Sequence, residues 1–338
     1  MLEIFWYFIF IIATIFYMIL DGFDLGVGCV HLLARTDLQR RIFLNSIGPV
    51  WDGNEVWLVV LVGSLFAGFP PVYASLMSSF YLFVMLFITA LIFRAVAIEF
   101  RSKEAYAFWR KTWDVIFSLS SAAISFGIGI VLGNLVTGIA VDENHEFIGS
   151  FSDFFHPYSV VAGLMTMSLL SMHGLIYLIM KTEGDLQDKM KKWVKISMII
   201  FLFIYSLFTY MTGVYAPYIL DKIMIYPYLS VVPVSIFFSV FQIYRLLNKG
   251  REGWAFILSS LSILLCISLF VLGTFPVLIR SSLNPDLYSL TIHNSASSTL
   301  TLKILAIIVL IGLPFVVGYG IYLYRVFKGK VQIEDSSY

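Results

Sequence analysis

Four carboxylates of this chain stand in stretches that are otherwise fit only for lipid. Asp21 and Asp24 lie in Asp21-Gly22-Phe23-Asp24-Leu25-Gly26-Val27-Gly28, and Asp52 and Glu55 in Trp51-Asp52-Gly53-Asn54-Glu55-Val56-Trp57. Each pair is spaced three apart and so shares one face of a helix. A charge in the middle of a membrane helix costs roughly 2.5–3.5 kcal/mol on insertion scales, so four ionised acids cannot face lipid. They must pair, hydrate, coordinate a cation or stay protonated. Arg94, in Phe93-Arg94-Ala95-Val96-Ala97-Ile98-Glu99-Phe100-Arg101, is a natural counter-charge, and Glu99 adds a further acid nearby. The chemistry such a group offers is proton transfer, through a polar channel entered from the cytoplasm. Asp52 and Asp24 are the better placed for it, with Asp21 and Glu55 as first-turn or interface charges. Two other uses stay open: a buried polar knot that fixes helix packing, and a hard cation held by the oxygens of Asp21, Asp24 and Asp52.

The elements that must position these acids are apolar runs. They fall at 4–33, 51–69, 74–98, 114–138, 158–180, 194–215, 226–246, 254–279 and 302–324. Most reach the roughly 20 residues that span a hydrocarbon core. Of the 22 lysines and arginines, all but Arg94, Lys222, Arg280 and Lys303 lie in alternate connections: after runs one, three, five and seven, and after the last. Basic residues stay on the cytoplasmic side. The expectation is an all-α polytopic membrane protein with nine transmembrane helices, the amino terminus outside and the carboxyl terminus cytoplasmic. Residues 1–338 form a single integral membrane domain. In that topology Asp21 lies about 17 residues, or about 25 Å, from the outer start of its helix. The antiparallel second run brings Asp52 and Glu55 to a similar depth.

Composition agrees. The chain is 59% hydrophobic and 13% charged, with a mean hydropathy of +0.90, whereas soluble domains carry about 25% charged residues. No basic stripe outside the inner loops supports nucleic-acid binding. The start, Met-Leu-Glu, lacks the positive charge of a secretory signal, so the first run reads as a mature span. Cys29 and Cys266 form no C-x-x-C pair and read as small buried hydrophobes. Of five histidines only His173 is clearly inside a run. A lone histidine there is a hydrogen-bonded packing residue rather than half of a haem site, so the chain is expected to bind no haem by itself. Asn134 and the serines 118, 120, 121 and 125 of the fourth run read as interhelical hydrogen bonds or close packing. Thr36 and Gln39 form a capping box for a short interfacial helix near 35–47, with Leu38 and Ile42 on one face. The lysine-rich connection 181–195 reads as a solvated extension of helices. The connection 139–157 carries acids and no lysine or arginine, with a turn at Gly149-Ser150.

The two acidic motifs, with Phe93-Arg94, Glu99-Phe100-Arg101, Trp113-Asp114, Gly133-Asn134-Leu135-Val136-Thr137-Gly138 and Pro157-Tyr158-Ser159-Val160-Val161-Ala162-Gly163-Leu164, resemble subunit II of cytochrome bd quinol oxidases. They occur in family order over about residues 15–185. The second half is similar mainly in the number and lengths of its spans. The resemblance implies a haem-free subunit of a prokaryotic cell membrane, packed against a related subunit I that holds two b-type haems and one d-type haem. That partner oxidises quinol on the outer side and reduces oxygen to water. The implied tasks of subunit II are to stabilise the partner and to help supply cytoplasmic protons, so that a proton motive force builds without a pump stroke. Asp52 matches the family position most associated with that supply, and Asp21 and Asp24 match neighbouring acids. Glu55 stands where some members have Gln. A structural quinone or lipid and a small accessory subunit are compatible with the family. Two rivals remain: a purely structural subunit, and an ion-coupled secondary transporter. The latter is disfavoured because the acids lie near one face and no internal repeat is visible.

Overall fold

The computed structural model describes residues 1–332; residues 333–338, which the single-domain expectation takes in, lie outside the described residues. Among the described residues eight helices are long and apolar enough to cross a membrane. The count reaches nine when a bent pair, Asp37–Ile47 with Trp51–Gly68, is taken as one span. In chain order the helices are α1 (Leu2–Val30), α2 (Asp37–Ile47), α3 (Trp51–Gly68), α4 (Pro70–Ser79), α5 (Tyr81–Phe100) and α6 (Ala107–Thr137). They continue with α7 (Pro157–Lys181), α8 (Gly184–Tyr215), α9 (Pro217–Ile225), α10 (Val231–Asn248), α11 (Glu252–Thr274) and α12 (Thr299–Val326). Prolines open α4, α7 and α9, where a missing N–H is harmless and the fixed φ suits the first turn.

α1 and α7 form the centre. α1 packs on α3, α6 and α7, and α7 packs on α6, α8 and α11. The two central helices meet backbone to backbone at glycines: a Cβ on Gly26 would lie 1.9 Å from the Leu170 carbonyl oxygen, and one on Gly174 would lie 2.4 Å from the Gly26 carbonyl carbon. Small residues permit this approach in membrane proteins, where dispersion and not hydrophobicity holds helices together. α12 is the most peripheral span. Leu302 is its one buried residue among the described residues, and it touches α1 and α3.

Several run boundaries differ from the sequence reading, that of α6 among them, which begins at Ala107, seven residues before its apolar run. The run 74–98 is not one helix: it breaks at Phe80, whose ring stacks on Phe154 at 4.5 Å. The segment before the break, α4, turns toward the loop after α6, where the Ser75 hydroxyl donates to the His145 carbonyl at 2.8 Å. The run 254–279 ends as helix at Thr274, because Pro276 cannot supply a helical N–H and disfavours helix at the residue before it. Val277–Ile279 instead forms β1, antiparallel to β2 (Leu290–Thr291). α8 begins at Gly184, ten residues before its apolar run, so the lysine-rich stretch is a helical extension.

The short helix near 35–47 is α2. The Gln39 N–H donates to Thr36 Oγ1 at 3.2 Å, but the Gln39 side chain accepts from Arg35 N at 3.0 Å, one residue earlier than a capping box requires. Its buried face is Phe43, Leu44 and Ile47; Leu38 is exposed and Ile42 only half-buried. The expected Leu38–Ile42 face is therefore not the packed one, because α2 must lie against α1 and α7 before it bends by 49° into α3.

Candidate functional site

α1, α3 and α5 bring three of the expected residues into one ionic group. Arg94 on α5 is fully buried. Its Nη2 lies 2.8 Å from Asp21 Oδ1 on α1, and the same nitrogen pairs with Glu55 Oε1 on α3. Asp21 is fully enclosed, while Glu55 keeps partial exposure. One guanidinium thus faces two carboxylates, so the group is short of positive charge. It is also short of hydrogen bonds: both Asp21 oxygens, Arg94 Nε and Nη1, and the Tyr17 hydroxyl have none among the described residues. A buried ion pair needs such bonds to offset its desolvation.

Asp24 sits one turn along α1, equally buried, and is held differently. Asn54 Nδ2 donates to Asp24 Oδ2 at 2.7 Å, and the Tyr324 hydroxyl donates to Asn54 Oδ1 at 2.8 Å. The other oxygen, Oδ1, has no partner among the described residues. Phe23, adjacent, stacks on Tyr177 at 4.0 Å and makes this wall of the site aromatic. A groove of about 290 Å³ lies alongside, lined by Leu20, Gly53, Asn54, Trp57, Tyr319 and Tyr324.

Asp52 does not join these acids. It is exposed in the first turn of α3 and makes no hydrogen bond or ion pair among the described residues. Asp52 and Glu55 share a face only loosely, and it is Glu55 and Asn54 that turn inward. The cation expected at Asp21, Asp24 and Asp52 has no support in the geometry: among the described residues no three His, Cys, Asp or Glu side chains converge as a metal would need. Glu99 is half-buried, five residues beyond Arg94. At 100° per residue that is about 140° around α5 from the Arg94 face.

A second buried ionic group was not anticipated. Asp114 in α6 accepts from His31 Nε2 at 2.7 Å, Arg101 Nε at 2.6 Å and Arg40 Nη1 at 2.9 Å. Arg101 reaches on to Asp37 at 2.7 Å, and Arg110 reaches the other Asp37 oxygen at 3.1 Å. His31, Arg101 and Asp114 are almost wholly enclosed. These residues tie α1, α2, α5 and α6 together at the basic end of the bundle. The sequence held a signal for it: Asp114 and Arg101 stand where consecutive runs end and begin at that same side.

His173 uses both ring nitrogens, Nε2 with the Ile19 carbonyl at 3.0 Å and Nδ1 with Ser259 Oγ at 2.7 Å. Asn134 donates to Ile130 and Phe154 carbonyls, joining α6 to the loop before α7. In that loop the Ser150 N–H and hydroxyl hold the Asp153 carboxyl below its ordinary value, which suits a capping box. His156 caps α7: its Nδ1 accepts from Ser159 N at 3.4 Å and its Nε2 meets Thr137 Oγ1 at 3.2 Å. Partial burial pushes its pKa down from 6.5.

Comparison with known proteins bears on what such a site serves. The family model described as cytochrome bd terminal oxidase subunit II matches residues 2–327. Cytochrome bd ubiquinol oxidase subunit 2 of Bacillus subtilis (strain 168) is 32% identical over 335 residues, covering 98% of this chain and 97% of that protein. Cytochrome bd-I ubiquinol oxidase subunit 2 of Escherichia coli (strain K12) is 29% identical over 370 residues, covering 99% and 96%. A solved bd oxidase structure from Geobacillus thermodenitrificans superposes with a TM-score of 0.79 at 18% identity, over 96% of this chain and 98% of that one, which concerns the fold.

Proposed function

The chain belongs to the cytochrome bd terminal oxidase subunit II family, and from that premise we propose that it serves a quinol oxidase by stabilising a haem-carrying subunit I and delivering cytoplasmic protons to it. Membership makes it a multi-pass subunit of an oxidoreductase complex of the bacterial cell membrane. The relatives' names specify ubiquinol, and we extend to this chain the coarser class, a quinol. The two b-type haems and the d-type haem are assigned to the partner. His173 uses both ring nitrogens within the fold, and since an axial ligand needs a free nitrogen it offers none. Those cofactors supply the electron transfer and oxygen chemistry.

In this reading the basic end of the bundle faces the cytoplasm. Asp52, exposed at the start of α3, collects protons at the surface. Inside, Asp24 is the carrier, because its partner is the neutral Asn54 amide and not the arginine that holds Asp21, and its other oxygen takes no hydrogen bond among the described residues. Asp21 and Glu55 share Arg94, and their part is to hold α1, α3 and α5 together while keeping a polar route open beside Asp24. Protons released from quinol leave on the outer side, and those that enter water come from inside. Each charge so separated stores about 2.3 kcal/mol per 100 mV.

The observation that carries the proposal is a fully buried carboxyl, Asp24, with one uncommitted oxygen in a membrane helix. The test is Asp24→Asn in the assembled oxidase, which keeps shape and removes the titratable group. Oxygen turnover per haem, driven by quinol, should fall about a hundredfold or more, the scale on which positioned acid–base groups act. Full haem content with undiminished turnover would refute a required proton role and leave the subunit with assembly alone.

A further inference from the structure

α12 is a peripheral helix with one side chain at the heart of the site. Its ends are fastened: the Ser297 hydroxyl just before it donates to the Ala67 carbonyl at 2.6 Å, and Lys181 donates to the Phe327 carbonyl just after it at 2.6 Å. Between these anchors its surface is largely exposed. Tyr324 nevertheless reaches inward to Asn54, and Asn54 reaches Asp24, by bonds of 2.8 and 2.7 Å.

The chemistry of the amide gives this chain a direction. A carboxamide has a donor end and an acceptor end. With Tyr324 O–H donating to Oδ1, the Nδ2 end must face Asp24. Asp24 Oδ2 is then committed as an acceptor, and Oδ1 is left as the oxygen where a proton arrives and departs. Without the tyrosine hydroxyl nothing among the described residues fixes Asn54 Oδ1, and the amide is free to turn. Its carbonyl would then face the carboxyl, an arrangement that only a protonated Asp24 can satisfy. The groove beside Asn54 and Tyr324, about 290 Å³, is lined mainly by apolar side chains, among them Leu20, Val56, Trp57, Phe315 and Val316, so the polar groups of the relay itself are what a proton would meet there.

We propose that Tyr324 and Asn54 are positioning residues for proton exchange at Asp24, the hydroxyl of α12 setting the amide so that the carboxyl is presented in one orientation. This rests on the proton-delivery reading above, and the experiment separates the two. Complete oxidase carrying Tyr324→Phe is compared with wild type and with Asp24→Asn, normalised to haem. Quinol-driven oxygen uptake is followed against pH, and reduced-minus-oxidised infrared spectra are recorded in the carboxyl region. Asp24→Asn should be slow and should lose one carboxyl band. Tyr324→Phe should move that same band and displace the pH midpoint of turnover by about one unit, a tenfold change in proton partition. A Tyr324→Phe oxidase with unmoved band and profile, beside a slow Asp24→Asn, overturns the relay and leaves proton delivery standing. A reduced yield of complex with an unmoved profile also overturns it, since a purely structural hydroxyl acts that way. Normal turnover in Asp24→Asn removes the premise and the relay together. Should Tyr324→Phe fail to assemble, Asn54→Ser is measured by the same two readouts: a moved band and midpoint support the relay, and an unmoved pair overturns it.

Discussion

Gly26→Ala is the sharpest test of how the site is held. The added Cβ would lie 1.9 Å from the Leu170 carbonyl oxygen and 2.9 Å from Gly174 N, both backbone atoms that no rotamer change can move. Bringing the first contact to 3.0 Å, about the closest that real Cβ atoms reach, requires α1 and α7 to part by about 1.1 Å. The bond from His173 Nε2 to the Ile19 carbonyl, 3.0 Å long, bridges the same two helices. A displacement of that size takes it past the usual 3.2 Å limit. Overpacking costs about 1–3 kcal/mol and an orphaned buried donor about as much again, or about 2–6 kcal/mol together. With an unfolding entropy near 2.1 cal/mol/K per residue over 338 residues, each kcal/mol corresponds to about 1.4 °C, so Tm should drop by about 3–8 °C. The assay is thermal loss of the haem spectrum in detergent-purified oxidase. Gly127→Ala is the control, because nothing among the described residues lies within 4 Å of its Cβ outside its own helix backbone, and its effect should stay within about 1 kcal/mol. Equal Tm values for the two variants would refute the close-packing argument.

Two other outcomes follow from the same structure. Arg94→Gln leaves Asp21 and Glu55 without their shared cation, and removing one partner of a buried pair costs about 3–5 kcal/mol; the yield of haem-containing complex should collapse, and Asp21→Asn in the same chain should restore part of it, as a double-mutant cycle on yield or Tm would register. At the other end of the bundle the folded pKa of His156 lies below its ordinary 6.5, so the unfolded chain binds the extra proton first and stability is lost as pH falls through and below 6.5; a protonated Nδ1 also cannot accept from Ser159. His156→Asn keeps a capping acceptor and should flatten the decline in Tm between pH 7 and 5, and an unchanged slope would count against this role.

How much of the molecule was legible from its sequence depended on which physical signal each feature left. Apolar runs and the placement of lysine and arginine are one-dimensional signals, and they foretold the helices that cross. They missed the starts of α6 and α8 in the polar residues before each run, and misplaced the helix ends at Phe80 and Thr274, where aromatic packing and a proline decide and hydropathy stays high. Arg94, Asp21 and Glu55 were legible as charges out of place in lipid. Arg94 was legible as their counter-charge as well; which of the four acids it takes was not, because helical spacing says which residues share a face and not how that face is turned. That is why Asp52 was placed among the buried acids while the structure puts it outside. Asn54 and Tyr324 left almost no signal. Neither is charged, and the separation of 270 positions between them is closed only by the fold. The Asp114 group was hidden for a different reason: arginines near run ends already have an explanation as topology signals, so nothing in the sequence demanded a second role for Arg40 and Arg101.

The two buried ionic groups differ in a way that bears on their use. Asp114 accepts from three donors, two of them arginines, and a carboxylate so surrounded is held as a fixed charge. Such a group makes a good rivet for α1, α2, α5 and α6 and a poor proton carrier, since giving it a proton would leave Arg40 without its anion and Arg101 with Asp37 alone. The other group is built the opposite way. One arginine is divided between Asp21 and Glu55, and Asp24 is given a single amide donor in place of a cation. A carboxyl held by a neutral hydrogen bond can change protonation without leaving a partner charge stranded, and that is the property a proton route through a membrane needs. The chain therefore separates its buried acids by partner type: guanidinium at the group that locks the helices, and an amide backed by a tyrosine at the carboxyl proposed above as the proton carrier.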